Sequence, residues 1–276
     1  MAATDSRTPE RIHAHYLVER ELAARLRDAG KEERRRLYSE VYDELFRRVP
    51  DHPQLALKQK GPDRSEVRFA LSLLKKFLTP DTIYLEIGPG DCALACEVAK
   101  LVKYVYAIDV SSEVTKDLVI PPNCELAVSD GSSIPVAANS IDLAFSDQLM
   151  EHLHPDDALD QVRNIYTALK PGGVYLCITP NRLSGPHDVS RSFDRVATGF
   201  HLREYTVTEL TALFCAAGFR RMKALSGARG HNVSAPTLLF IWLESLLTGL
   251  PESISKPLAR SLPLRLVLGA KIAAWK

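Results

Sequence analysis

Residues 84–95 read YLEIGPGDCALA. Ile83, Tyr84, Leu85 and Ile87 make a short apolar run of the kind that forms a buried strand. Gly88, Pro89 and Gly90 follow. The two glycines permit a tight turn and a close backbone approach to a ligand, with no Cβ in the way. Asp91 stands where a helix N-cap is expected. Strand, glycine turn and helix start together form the unit that binds a nucleotide-like cofactor.

The neighbouring residues narrow that cofactor. Gly88, Gly90 and Ala93 satisfy a GxGxxG/A pattern, and Asp109 follows about 20 residues on, where a ribose-binding acid sits. Glu86 ends the strand, two residues before the first glycine. A carboxylate there suits a charged amino group and suits a pyrophosphate poorly. The cofactor implied is therefore cationic or amino-acid-like near the turn, with a ribose reaching Asp109.

Working outward, apolar runs and helical patterns alternate. Strands are expected at 83–87, 104–109, 124–128, 141–146 and 174–179. Helices are expected at 92–100, 112–118 and 155–169, with a further helix at 64–78 before the first strand. A helix at 208–217, ended by Gly218, leads to a strand at 219–225 on the sheet edge. This order predicts an α/β fold: a doubly wound, mostly parallel seven-stranded sheet with helices on both faces. Residues 181–204 are polar and read as a loop. Two helical patterns, about 10–30 and 37–46, precede the sheet, and residues 1–8 and 61–66 read as irregular. The first sixty residues are either a helical extension packed on the core or a cap over the cofactor cleft. From Pro236 the chain is apolar, with PTLLFIWLESLLTGL broken only by Glu244. The expected organisation is a helical extension at 1–60, a cofactor-binding domain at 61–230 and an apolar helical tail at 231–276.

At this point the chain resembles the class I S-adenosylmethionine-dependent methyltransferases of the small-molecule type, over about 150 residues. Leu85-Glu86-Ile87-Gly88-Pro89-Gly90 resembles their first motif, with Cys92 where the third glycine usually stands. Ala107-Ile108-Asp109-Val110-Ser111 resembles the second, whose acid holds the ribose hydroxyls. Ser129-Asp130-Gly131 resembles the third, where an acid meets the adenine amino group. Residues 141–146 resemble the fourth strand, with 147–152 as the loop toward the methyl donor, and Leu169-Lys170-Pro171-Gly172-Gly173 resembles the turn before the fifth. The resemblance implies S-adenosylmethionine as cofactor, held by Glu86, Gly88, Gly90, Asp109, Val110, Asp130, Gly131 and Asp147. It implies methyl transfer to a small molecule, with a hydroxyl as the expected acceptor. The glycine turn taken alone leaves an NAD-dependent oxidoreductase or a non-catalytic cofactor-binding scaffold as alternatives.

A hydroxyl acceptor needs a base. His152 in EHLHPDD and His201 before Arg203-Glu204-Tyr205 are the candidate catalytic residues; the alternative for His152 is a structural role beside Glu151. His154 reads as a helix-start residue. His187, Asp188, Arg191, Asp194, Arg195 and Arg203 share the polar loop and are candidates for substrate contact. No metal set is expected: Cys92 and Cys96 lie one helical turn apart without a completing His or Asp.

Charge is uneven along the chain. Residues 1–80 carry 17 basic and 13 acidic side chains, residues 81–219 carry 9 and 19, and residues 220–276 carry 9 and 2. An acidic centre suits a sulfonium cofactor and argues against nucleic acid lying across it. The apolar, basic end suggests contact of 236–276 with a membrane surface or an apolar substrate, or with a second copy of the chain. Five scattered cysteines without a CxxC fit a reducing compartment. The start, MAATDSRTPE, has no apolar h-region, so no signal peptide is expected and the location reads as cytoplasmic.

Overall fold

The computed structural model describes residues 7–55, 64–111, 119–228 and 231–276. One eight-stranded sheet organises them. Its strands are β1 (Ile83–Ile87), β2 (Tyr104–Asp109), β3 (Cys124–Val128), β4 (Ile141–Asp147), β5 (Leu169–Thr179), β6 (Arg221–Ala228), β7 (His231–Pro236) and β8 (Ala270–Trp275), in the order β3-β2-β1-β4-β5-β8-β6-β7. The first five are parallel; β8 runs antiparallel to both β5 and β6, and β7 antiparallel to β6. Both faces are covered, which is why β1 is apolar on both sides apart from Glu86. Tyr84 packs under α3 (Arg64–Leu74) and α4 (Ala93–Ala99), whereas Leu85 and Ile87 face α5 (Pro155–Ala168) and α6 (Val207–Ala217).

Several expectations need correction. The sheet has eight strands, not seven. Residues 231–276 are not a helical tail alone: α7 (Thr237–Thr248), α8 (Glu252–Arg260) and α9 (Leu262–Leu268) are bracketed by β7 and β8. The AKIAAW segment of β8 is Ala-rich and intrinsically weak as a strand. It forms because the slot between β5 and β6 buries Ala270, Ile272, Ala273 and Ala274 completely and Arg221 stacks over the Trp275 ring at 4.7 Å. The strand expected at the sheet edge, β6, is therefore internal. The helix expected over 64–78 stops at Leu74 and tightens into a 3₁₀ turn, Lys75–Phe77. Asp91 is not the N-cap of α4. Cys92 is, in the left-handed region (φ 56°), while the Asp91 carboxylate accepts from the Ala93 N–H at 3.0 Å. The helix expected at 112–118 lies outside the described residues, as do positions 1–6 and 61–63.

Before the sheet come α1 (Pro9–Asp28) and α2 (Lys31–Arg48). Thr8 caps α1 and Pro9 opens it. The stripe Leu37, Tyr38, Val41 and Leu45 of α2 is buried against the α5 side of the sheet. A bidentate pair fixes its position: Arg34 donates to Asp157 at 2.6 and 2.9 Å, both residues are 3% exposed, and the Tyr38 hydroxyl donates to the same carboxylate at 2.8 Å. α2 thereby runs across the carboxyl ends of β2, β3 and β4. Tyr38 lies over Gly131, and Ser111 donates to Asp43 at 3.0 Å. α2 thus packs its apolar stripe into the core and lies beside Ser111 and Gly131, after β2 and β3. Among the described residues no helix is long and apolar enough to cross a membrane.

Candidate functional site

The parallel register sets the site. Gly88 donates its N–H to the Ile108 carbonyl at 2.8 Å, so the glycine turn sits beside the end of β2. Gly88 has φ +71°, and a Cβ there would stand 3.1 Å from Leu149; Gly90 has φ +53° and open space above it. The turn is thus a cradle that side chains would fill or strain. Beneath it, Glu86 is 5% exposed and its Oε2 has no hydrogen-bond partner among the described residues. Burial pushes its carboxyl up to about 8, with the Tyr84 hydroxyl opposing and Asp147 and Asp91 adding to the shift. A buried acid with one oxygen unpartnered there, under an open glycine turn, fits the ammonium group of an amino-acid-like cofactor.

Asp109 ends β2, its carboxyl raised by burial although the Ser111 N–H donates to Oδ1 at 3.0 Å. Val110 follows it on the same edge. Asp130 is differently placed. Its Oδ1 accepts from the N–H of Ser132 (3.0 Å) and Ser133 (2.7 Å), and its Oδ2 from the Ser133 hydroxyl (2.9 Å), with Arg35 at 3.5 Å. These bonds use most of its acceptor capacity and hold the carboxyl low, so this side chain chiefly shapes its own turn. Gly131 (φ +89°) is where Tyr38 closes over the edge: a Cβ would meet the ring at 2.8 Å. Asp147, at the end of β4, is exposed.

Beyond this edge lies a cavity of about 270 Å³, whose lining includes His15, Glu19, Tyr42, His52, His152 and His201. Tyr42 stacks on Phe200 (centroids 4.9 Å apart) and stands edge-on to His152 at 6.2 Å. Burial raises its phenol well above the usual range, with Glu19 the foremost of the acids that add to the shift. His152 Nδ1 lies 3.1 Å from the Phe200 carbonyl. A carbonyl only accepts, so Nδ1 carries the proton and Nε2 keeps its lone pair. Burial, with His201 adding, lowers this imidazole to about 3 and keeps it neutral. His201 Nδ1 is 2.8 Å from Glu204 Oε1. Burial disfavours its charge, but Glu204 and Glu151 outweigh that and raise it. The two rings are 5.0 Å apart at 87°. Glu151, pushed up to about 7 by burial, accepts from the Thr179 hydroxyl at 2.9 Å through Oε2.

The structure thus brings His152 and His201 together, with His187, Asp188 and Arg191 on the wall of the same cavity, and sets His154, Asp194, Arg195 and Arg203 outside it. His154 caps α5, its Nδ1 accepting from the Asp156 N–H. His187 donates from Nε2 to the Asn181 carbonyl at 3.1 Å, and Asp188 accepts from Ser190 and Gly199. Asp194 accepts from Tyr16 at 2.8 Å. Arg191 stands exposed on the cavity wall. Arg195 and Arg203 line a second cavity of about 570 Å³ between the polar loop and α7–α8, and His201 lies on its wall as well. Tyr42, Glu19 and Glu151 escape a sequence reading as site residues. Tyr42 sits on a stripe that reads as packing, and only the His15/Glu19 spacing of one helical turn signals Glu19.

Residues 85–177 match the family model described as Methyltransferase domain. Over 151 residues the chain is 30% identical to a Mycolicibacterium smegmatis protein named "Probable S-adenosylmethionine-dependent methyltransferase", covering 54% of this chain and 56% of that one; the chain spans about half the length of the curated relatives it matches. A methyltransferase structure from Archaeoglobus fulgidus superposes with TM-score 0.53 at 15% identity, covering 82% of this chain and 100% of the other. A Haemonchus contortus phospholethanolamine N-methyltransferase 2 complex with S-adenosylhomocysteine gives 0.50 at 20% identity, covering 76% and 52%. The glycine cradle over a buried acid and these matches agree: residues 85–177 match a methyltransferase domain, and the curated relatives are named as S-adenosylmethionine-dependent methyltransferases.

Proposed function

We propose that the protein moves the methyl group of S-adenosylmethionine to a hydroxyl of a small-molecule acceptor seated in the histidine-lined cavity. The observation that carries this reading is His152: neutral, with its Nε2 lone pair free, one short loop beyond β4. Bound at the glycine turn, the cofactor supplies an electrophilic methyl group on a sulfonium. Glu86 pairs with its ammonium end, and Asp109 holds its ribose. His152 accepts a hydrogen bond from the acceptor hydroxyl through Nε2, His201, made more basic by Glu204 and Glu151, takes up its proton, and α2 with the polar loop keeps water out and the acceptor in line. The second cavity borders α7 and α8, whose Leu238, Leu239, Trp242, Leu246, Ile254 and Leu258 are exposed. This apolar face supports an acceptor with a greasy part, approached from a membrane surface or an apolar carrier.

The test is transfer of labelled methyl from S-adenosylmethionine to a panel of hydroxylated amphiphiles, with calorimetric titration of both S-adenosylmethionine and NAD. Transfer to oxygen that His152→Ala reduces by about 100-fold or more supports the reading. Tight NAD binding without S-adenosylmethionine binding, or cofactor binding with no transfer to any acceptor, would overturn it.

A further inference from the structure

Two clusters of histidine and carboxylate face the same cavity, and their outer hydrogen bonds treat them in opposite ways. In the first, Glu19 lies with His15 and His52, one ligand atom of each within 4.8 Å of the others. Arg7 Nη2 donates to His15 Nδ1 at 3.1 Å, and the Gln54 N–H donates to His52 Nδ1 at 3.3 Å. A guanidinium and an amide N–H only donate, so both Nδ1 atoms carry lone pairs and both Nε2 atoms carry protons. Glu19 Oε1 accepts from His15 Nε2 at 2.7 Å, with His52 Nε2 3.8 Å away. An ion there would displace both protons and leave each Nδ1 facing a donor. The outer donors therefore disfavour a metal at this trio.

The second trio is Glu151, His152 and His201, again with one ligand atom of each within 4.8 Å of the others. Here the outer partners are acceptors: the Phe200 carbonyl at His152 Nδ1 and the Glu204 carboxylate at His201 Nδ1. An acceptor at Nδ1 holds the proton there and leaves Nε2 as a ligand, the arrangement that orients metal-binding imidazoles. Glu151 is fully buried, with Oε2 on Thr179 and Oε1 without a partner among the described residues. Glu204 is itself anchored, accepting the His187 N–H at 2.6 Å.

We propose that Glu151, His152 and His201 bind a divalent first-row transition-metal ion through Oε1 and the two Nε2 atoms. Two imidazoles and one carboxylate suit Zn²⁺, Fe²⁺, Co²⁺ or Mn²⁺. Ligands about 2.1 Å from one ion stand roughly 3–3.5 Å apart, so binding draws the side chains together within the 4.8 Å they now span. Three protein ligands leave open positions toward the cavity. That the acceptor hydroxyl fills one of them rests on the methyl-transfer reading; with the ion bound, the two Nε2 atoms would be ligands rather than bases, and the ion would acidify the hydroxyl so that its proton leaves to cavity water. The ion site itself does not depend on that reading.

The experiment is titration of the chelator-treated full-length protein with Co²⁺, followed by its visible ligand-field absorption and by calorimetry, with bound Zn²⁺ measured after dialysis. One equivalent is expected to bind. His201→Ala, and separately Glu151→Gln, should weaken binding by about 100-fold or more, and the outer-partner change Glu204→Gln by about 10–100-fold. His52→Ala should leave metal affinity unchanged. Circular dichroism and retained S-adenosylmethionine binding report that each variant is folded; if Glu151→Gln fails that check, His201→Ala decides. Absence of a stoichiometric ion, or loss of binding in His52→Ala with His201→Ala unaffected, would overturn the proposal. If no ion binds while methyl transfer proceeds in chelator, the site fails and the methyl-transfer reading stands. If the ion binds and no acceptor is methylated, the reverse holds.

Discussion

Glu86 is a buried acid that lacks a partner for one oxygen, and this has a measurable consequence. Its carboxyl titrates near 8 in the folded protein, against 4.5 for the ordinary side chain. The protonated form is favoured by folding, so its contribution to stability is complete below about pH 4.5 and is lost as the pH rises toward 8. An ammonium partner favours the ionised form, so cofactor binding should expel a proton from Glu86. S-adenosylmethionine affinity is therefore expected to rise between pH 6 and pH 8, with proton release visible by calorimetry in buffers of different ionisation enthalpy. Glu86→Gln should flatten that rise and abolish the release; an unchanged release in the variant would sink the assignment. Asp109→Ala removes a charged acceptor from the ribose end and should weaken cofactor binding by about 10–100-fold, measured in the same titration.

At the scale of elements, α2 is the piece of the N-terminal region that is tied to the sheet's carboxyl edge. Its register depends on Arg34 and Tyr38 meeting Asp157 on α5. Removing that carboxylate leaves a buried guanidinium without its bidentate partner. Asp157→Ala should cost about 3–5 kcal/mol in urea unfolding, and a value under about 1 kcal/mol would mean that α2 is held by its apolar stripe alone. The parallel strands and their helices were legible because their apolar periods are regular and their turns carry Gly, Pro or Asp. The glycine turn, Glu86 and Asp109 were legible for the same reason: they are contiguous in sequence and tied to strand ends. β8 was not, since Ala-rich segments take their conformation from the slot they enter. Nor was the cavity: His15, Tyr42, His152 and His201 are distant in sequence and meet only when α1, α2 and the polar loop fold over one another. Arg27 binding the Thr198 and Gly199 carbonyls is one of the contacts that make them do so.

At the scale of the whole molecule, the sheet is completed from both ends of the sequence. Residues before β1 cover its carboxyl edge, and residues after β7 return to fill its interior. A chain stopped after Gly269 would leave β5 and β6 facing an empty slot. It is expected to lose cooperative unfolding and near-ultraviolet dichroism and to bind a hydrophobic dye. Retention of a sharp transition and of cofactor affinity in that variant would show the cofactor half to be self-sufficient.

The position of β8 also bears on how the protein is made. On the ribosome, β1 to β5 can pair in parallel as they emerge, and the cofactor edge with them. β6 cannot dock beside β5 then, because its inner neighbour has yet to be synthesised. At about 5–20 residues per second, translation from the end of β6 to the end of β8 takes roughly 2–10 s. Through that interval β5 presents an unpaired edge to its surroundings, the kind of edge that recruits foreign strands. Slow codons or a chaperone acting on the last fifty residues would therefore change the yield of this protein more than the same intervention anywhere earlier in the message.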